Sequence, residues 1–135
     1  MAEEFSFELV SPEKLLLAEE VDMVVVPGAE GDFGVLVGHA PLISSLRPGV
    51  IDTYNGGKVA DRIFVAGGFA EVTGERCTVL AEEAIPVKDI DSANAEERLK
   101  VAKEAISGAD NDTLRNAAEI ELTVAEAMLA AGRAA

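Results

Sequence analysis

The chain has no tryptophan, one tyrosine, one cysteine and one histidine in its 135 residues. Each scarcity excludes something. Cys77 alone can form no intrachain disulfide, which suits a reducing compartment. His39 has no second histidine and no nearby cysteine in sequence, so no metal site is expected. Positive charge is scarce as well: 11 Lys and Arg stand against 25 Asp and Glu, for a net charge of −14. That field repels a phosphate backbone and an anionic membrane surface, so neither nucleic acid nor direct lipid insertion is expected. No apolar run approaches the roughly 20 residues of a membrane span. The start, Met1-Ala2-Glu3-Glu4, is acidic and lacks the basic end and apolar region of a secretion signal. Apolar residues, by contrast, make up 49% of the chain, enough for a core. The length suits one compact domain, or one small domain with an appendage. A domain this small buries a modest share of its surface, which favours a partner.

The chain changes character near Pro86. Before it, turn signals recur at Ser11-Pro12, Pro27-Gly28, Pro48-Gly49, Asn55-Gly56-Gly57, Gly67-Gly68 and Thr73-Gly74. Short runs of Val, Ile, Leu and Phe lie between them. Phe5 to Leu9 alternates apolar and polar, the period of a half-buried strand. Val50–Tyr54 and Asp61–Val65 flank Asn55-Gly56-Gly57, where Asn-Gly supplies the positive φ angles of a tight hairpin. Phe69–Val72 and Cys77–Leu80 flank Gly74 in the same way. This spacing predicts an antiparallel β-sandwich.

After Asp89 the period becomes helical. Residues 92–107 contain no glycine or proline. Ala95, Leu99, Ala102 and Ile106 form one apolar stripe, with Ser92 as N-cap and Gly108 as a left-handed terminator. Asp110-Asn111-Asp112 offers caps for a second helix over 112–131, with a stripe of Leu114, Ala118, Leu122, Ala125 and Leu129. The linker is short, so an antiparallel helical hairpin is expected. The fold class is therefore α+β: a sandwich over 1–88, then a two-helix hairpin over 89–135.

The chemistry is sparse. Gly28, Gly31, Gly34 and Gly38 fit neither a phosphate loop nor G-x-G-x-x-G. They read as turn and close-approach residues. Asp32-Phe33-Gly34 lacks the other parts of a kinase site. Glu82-Glu83 reads as a solvated pair in an acidic chain. Cys77, in an apolar strand, reads as a small core residue. Two classes remain open: a binding or structural subunit, and a small enzyme with an unrecognised His39/Cys77 site. The first calls for an exposed apolar face, the second for a pocket joining the two side chains.

The block Glu30-Gly31-x-x-Gly34-x-x-x-Gly38-His39-Ala40-Pro41-Leu42, followed by Pro48-Gly49, resembles the signature of the epsilon subunits of bacterial and chloroplast rotary ATP synthases. Phe7-x-Leu9-Val10-Ser11-Pro12, Gly67-Gly68-Phe69-Ala70-Glu71-Val72, Thr78-Val79-Leu80-Ala81-Glu82 and Ile90-Asp91 match the family in order. The resemblance spans essentially the whole chain. It implies a non-catalytic central-stalk subunit that couples proton-driven rotation of the c-ring and gamma to ATP synthesis. It implies contact of Glu30, Gly31 and Asp32 with the c-ring, and of His39, Ala40 and Pro41 with gamma. The C-terminal helices would face the alpha and beta subunits of the catalytic head. The implied location is peripheral, on the cytoplasmic face of a bacterial inner membrane; the acidic start favours a bacterial over a mitochondrial chain.

Some members of that family bind ATP through Ile/Leu-Asp-x-x-Arg-Ala. Here Ile90, Asp91 and Ala95 match, but Asn94 stands at the arginine position. Arg98, one helical turn on, is the candidate substitute. The preferred reading is that Ile90-Asp91 caps and anchors the first helix, so no cofactor is expected. The hairpin carries Arg98, Lys100, Lys103, Arg115 and Arg133 against ten carboxylates. It is expected to inhibit ATP hydrolysis weakly and to pack on its own sandwich.

Overall fold

The computed structural model describes residues 3–134; Met1 and Ala2, which open the acidic start, and Ala135 lie outside the described residues. The chain divides into two compact units between Pro86 and Val87.

The first unit holds eight strands: β1 (Phe5–Val10), β2 (Leu15–Val21), β3 (Met23–Gly28), β4 (Gly31–Val35), β5 (Leu42–Ser45), β6 (Gly49–Asn55), β7 (Lys58–Val72) and β8 (Arg76–Pro86). They form one sheet in the order β2-β1-β8-β7-β6-β3-β4, with β5 also on β7. The first part of β7 pairs with β6, and its last four residues pair with β5. The sheet therefore folds over along β7 and β8, and its two halves face each other as a sandwich. Phe7, Leu9, Val21, Val24, Val26, Ile51, Val65 and Val79 fill the space between. Alternation explains the assignment: in β1 every second residue from Phe5 is buried.

Several local expectations are corrected. The sandwich is not wholly antiparallel, because β1 runs parallel to β8. Parallel neighbours need a long crossover, and the intervening strands supply it. Gly67-Gly68 is not a turn. It lies inside β7, with φ of 73° and 105°, where the strand passes from one half of the sandwich to the other. In the β6–β7 hairpin Asn55 pairs with Lys58, so the left-handed residues are Gly56 and Gly57, not Asn55. The turn between β7 and β8 does not use a left-handed Gly74. Thr73 Oγ1 accepts the Glu75 and Arg76 backbone N–H groups at 3.4 and 3.1 Å instead.

The second unit starts with a short 3₁₀ turn, Val87–Asp89, followed by α1 (Ser92–Ser107) and α2 (Asp112–Arg133). The start of α1 lies beside the end of α2, since Arg133 meets Glu96 and Arg98 meets Glu121. The helices are thus antiparallel. The N-cap of α1 is Asp91, not Ser92: its carboxylate accepts from Ala93 N at 2.9 Å and Asn94 N at 3.3 Å. Ser92 is displaced by one position because the carboxylate, already outside the helix, reaches the orphan donors. Asn111 caps α2 through Leu114 N at 2.9 Å. Gly108 is not left-handed (φ −94°); its N–H returns to the Glu104 carbonyl at 3.0 Å, and the Ala109 N–H to the Ile106 carbonyl at 3.3 Å. Leu114 is exposed rather than part of the stripe; Val124, Met128 and Ala131 are buried in addition.

Candidate interaction surfaces

The strand β4 separates two presented regions. At its start, Ala29 and Glu30 form the two-residue turn that joins Gly28 to Gly31. At its end, residues 36–41 form a loop leading to β5. Four residue steps lie between, which spans roughly 13 Å in a strand.

Glu30, Gly31 and Asp32 are all exposed. They are not equivalent. The Asp32 carboxylate is ion-paired with the Arg47 guanidinium. The same guanidinium donates to the Gly28 carbonyl at 2.8 Å. Glu30 therefore presents the unneutralised charge of the turn. Sequence reading missed Arg47, yet a signal existed: it is the only Lys or Arg between Lys14 and Lys58.

In the second loop His39 is half-buried, with Ala40 and Pro41 exposed. His39 Nδ1 lies 2.7 Å from Ala40 O. A carbonyl only accepts, so this contact selects the tautomer with hydrogen on Nδ1. Gly38 N donates to Gly74 O at 2.8 Å, which ties the loop to the β7–β8 turn.

This loop continues into a broader apolar face. Along the end of β7, Ala70 and Val72 are buried while Phe69 and Glu71 point outward. Cross-strand pairing places Ser45 beside Phe69, Leu80 beside Phe69, and Val10 beside Leu80. Phe69, Leu80 and Val10 thus form an apolar row across three strands of the outer face. Leu15 follows Val10 across a bulge. Ile43, opposite Glu71, lies at the β5 edge of that face. Phe69 is 42% exposed and Ile43 69%. The neighbouring Leu36 and Val37 are exposed too. Sequence reading found the His39 loop but not the row, because the row is assembled from three separate strands.

The catalytic alternative finds no support. Cys77 is fully buried in the sandwich core, and burial pushes its thiol up to about 12. It remains a protonated thiol and a poor nucleophile at neutral pH. A surface hollow of about 310 Å³ is lined by Ser6, Phe7, Glu8, Ala18, Glu19, Glu20 and Arg76, and contains neither His39 nor Cys77. No cluster of metal-ligating side chains occurs among the described residues, and no helix among them is long and apolar enough to cross a membrane.

The nucleotide candidates are separated by function. Asp91 is engaged as the α1 cap. Arg98 is bound to Glu121, with Nε at 2.9 Å and Nη2 at 2.7 Å. Ala95 is buried and Ile90 half-buried. Arg98 is therefore engaged within the hairpin.

One carboxylate is out of place. Glu19 pairs with the inward-facing Phe7, so it points toward the interior from β2. Its Oε1 is buried without a hydrogen-bond partner. Burial, then the hydrogen bond to Asp61 and its charge, raise the Glu19 pKa above its ordinary 4.5, while Thr53 opposes this. A pKa raised in the folded state favours the protonated fold. That stability is present below 4.5 and is lost as pH rises through the folded value. Glu19→Gln should therefore raise the thermal midpoint at pH about 7 and have little effect toward pH about 4. Thermal unfolding of the full-length chain at both pH values checks this; equal shifts at both would contradict it.

Comparison with known proteins gives the family. Residues 4–87 match the family described as "ATP synthase, Delta/Epsilon chain, beta-sandwich domain". The chain is 61% identical over 131 residues to the ATP synthase epsilon chain of Paramagnetospirillum magneticum, covering 97% of this chain and 98% of that one. It is 55% identical, with the same coverage, to that of Rhodospirillum rubrum. Among solved structures, a chain of the Euglena gracilis mitochondrial ATP synthase assembly of OSCP, F1 and c-ring matches with a TM-score of 0.80 and 30% identity. That match covers 95% of this chain and 81% of the other. A chain of the Tetrahymena thermophila mitochondrial ATP synthase central stalk and c-ring shares the fold, with a TM-score of 0.73 at 15% identity over 97% and 98% of the two chains. The chain belongs to the delta/epsilon family of ATP synthase subunits.

Proposed function

We propose that this chain is the epsilon subunit of a bacterial rotary ATP synthase, a non-catalytic part of the central stalk. It couples rotation of the c-ring to ATP synthesis. The observation that carries this reading is the arrangement around β4: a charged turn at one end, and a loop with an apolar face at the other. A body that transmits torque needs two such attachments, held rigidly apart by a folded core. Glu30, Gly31 and Asp32 are assigned to the polar loops of the c-ring. His39, Ala40 and Pro41, with the Phe69 row, are assigned to gamma. The subunit then sits peripherally, on the cytoplasmic side of the inner membrane. Purified gamma should co-isolate with the purified full-length chain. Failure of the two to associate would remove the reading.

The C-terminal unit is assigned a weak inhibitory role. Of the five cations in residues 89–135, Arg98, Arg115 and Arg133 are engaged by Glu121, Asp112 and Glu96 within the hairpin. Glu119 and Glu126 are exposed on α2. Like charges about 4 Å apart repel by roughly 1 kcal/mol in water, and exposed pairs return only about 0–1 kcal/mol. Such a helix matches an acidic loop of the catalytic head poorly. Enzyme assembled with a chain ending at Lys88 should hydrolyse ATP at nearly the full-length rate. A severalfold rise on truncation would show that the hairpin inhibits despite its charge.

A further inference from the structure

The Ala29-Glu30 turn is gripped from one side by a single residue. Arg47 N donates to Pro27 O at 3.0 Å, its Nη1 donates to Gly28 O at 2.8 Å, and its Nη2 pairs with Asp32. One side chain thus ties the strand entering the turn to the strand leaving it. Next to it, Ala29 N donates to Ser45 O at 2.8 Å. The turn is also sterically closed. A Cβ on Gly28 would lie 2.8 Å from Gly31 O and 2.9 Å from the Phe33 ring.

Both ion-pair partners are substantially exposed, Arg47 at 42% and Asp32 at 59% of the side chain. Such a pair adds little to global stability. Its consequence is local: it fixes shape and cancels the Asp32 charge. The Glu30 carboxylate has no ion pair or hydrogen bond among the described residues. We propose that Arg47 is the positioning residue of the docking turn, holding Glu30 as the one charge offered to a polar or basic loop of the partner. Arg47 acts through Glu30 and touches no partner atom itself. This inference rests on the assignment of the turn to the c-ring.

The test is a pair of substitutions in the assembled enzyme, made singly and together. Arg47→Met keeps the bulk of the side chain but removes both contacts; Glu30→Gln removes the presented charge. Proton-driven ATP synthesis in membrane vesicles is the readout, with thermal unfolding of each full-length chain alongside. Each single variant should lower synthesis about fivefold or more, and the double variant no further. Arg47→Lys, which keeps the charge but reaches one acceptor at a time, should recover part of the loss. Thermal midpoints should move by no more than about 5 °C. If Glu30→Gln lowers synthesis while Arg47→Met leaves it unchanged, or lowers it by the same factor with and without Glu30, Arg47 is not a positioning residue. If Arg47→Met lowers synthesis only in proportion to a large fall in the thermal midpoint, its role is structural and the proposal fails. If Glu30→Gln has no effect, the docking assignment falls, and the role proposed for Arg47 falls with it.

Discussion

Gly68→Ala is expected to destabilise the sandwich severely. Gly68 sits inside β7 with φ of 105°, a conformation that L side chains rarely adopt. An added Cβ would lie 1.8 Å from Leu80 O, 2.9 Å from Leu80 C and 3.1 Å from Ala81 Cα. All three are backbone atoms of the paired strand β8, so no side-chain rotation relieves the clash. The chain must either break the Gly68–Ala81 pairing or shift β8, and β8 also carries β1. Strain and overpacking together should cost about 3–5 kcal/mol, against a total stability of roughly 5–15 kcal/mol for a domain of this kind. That corresponds to a fall of about 15 °C or more in the thermal midpoint. Gly74→Ala is the control. Gly74 has no left-handed φ, and its nearest neighbour would be Gly38 Cα at 3.9 Å. It should change the midpoint by only a few degrees. Circular dichroism melts of the full-length chains decide the matter; a Gly68→Ala chain that melts like the parent contradicts the account.

Phe69→Asp should abolish association with gamma while leaving the fold intact. Phe69 stands at the β7 end of the apolar row, between Ser45 and Leu80, and is already 42% exposed. A polar residue there costs the isolated chain little. In a closed interface the same carboxylate loses water and finds no partner. Central aromatic anchors contribute about 2–4 kcal/mol when truncated, and an unpaired buried charge adds to that. The affinity should therefore fall about 100-fold or more. Val59→Asp is the matched control. Val59 is also a large exposed apolar residue, at 46%, but it lies at the other end of β7 beside the β6–β7 hairpin. It should bind gamma like the parent. Titration of purified gamma against the three folded chains measures this. Equal affinity for Phe69→Asp and the parent would move the interface elsewhere on the sandwich.

Part of the local structure was legible in the sequence: several strands, and the change from strand to helix near Pro86. Alternation marked β1, because a strand over a core must bury every second side chain. Helical spacing of Ala95, Leu99, Ala102 and Ile106 marked α1, and those are the apolar residues it buries or half-buries. The Glu30 to Pro41 block, through its family resemblance, marks both ends of β4. Tertiary structure decided everything that depends on long separations in the chain. Arg47 reaches Asp32 across fifteen positions, and Glu19 meets Asp61 through the closing of the sheet. Gly67-Gly68 looks like a turn in sequence, since positive φ is all that glycine reports; only the partner strand shows that the chain bends and continues. The row of Phe69, Leu80 and Val10 has no sequence period at all. It exists because β1 pairs in parallel with β8, and that pairing is set by burial of Phe7, Leu9 and Val79 between the two halves of the sandwich. A periodicity reports only the face a residue takes within its own strand, whereas a surface is made by the register between strands.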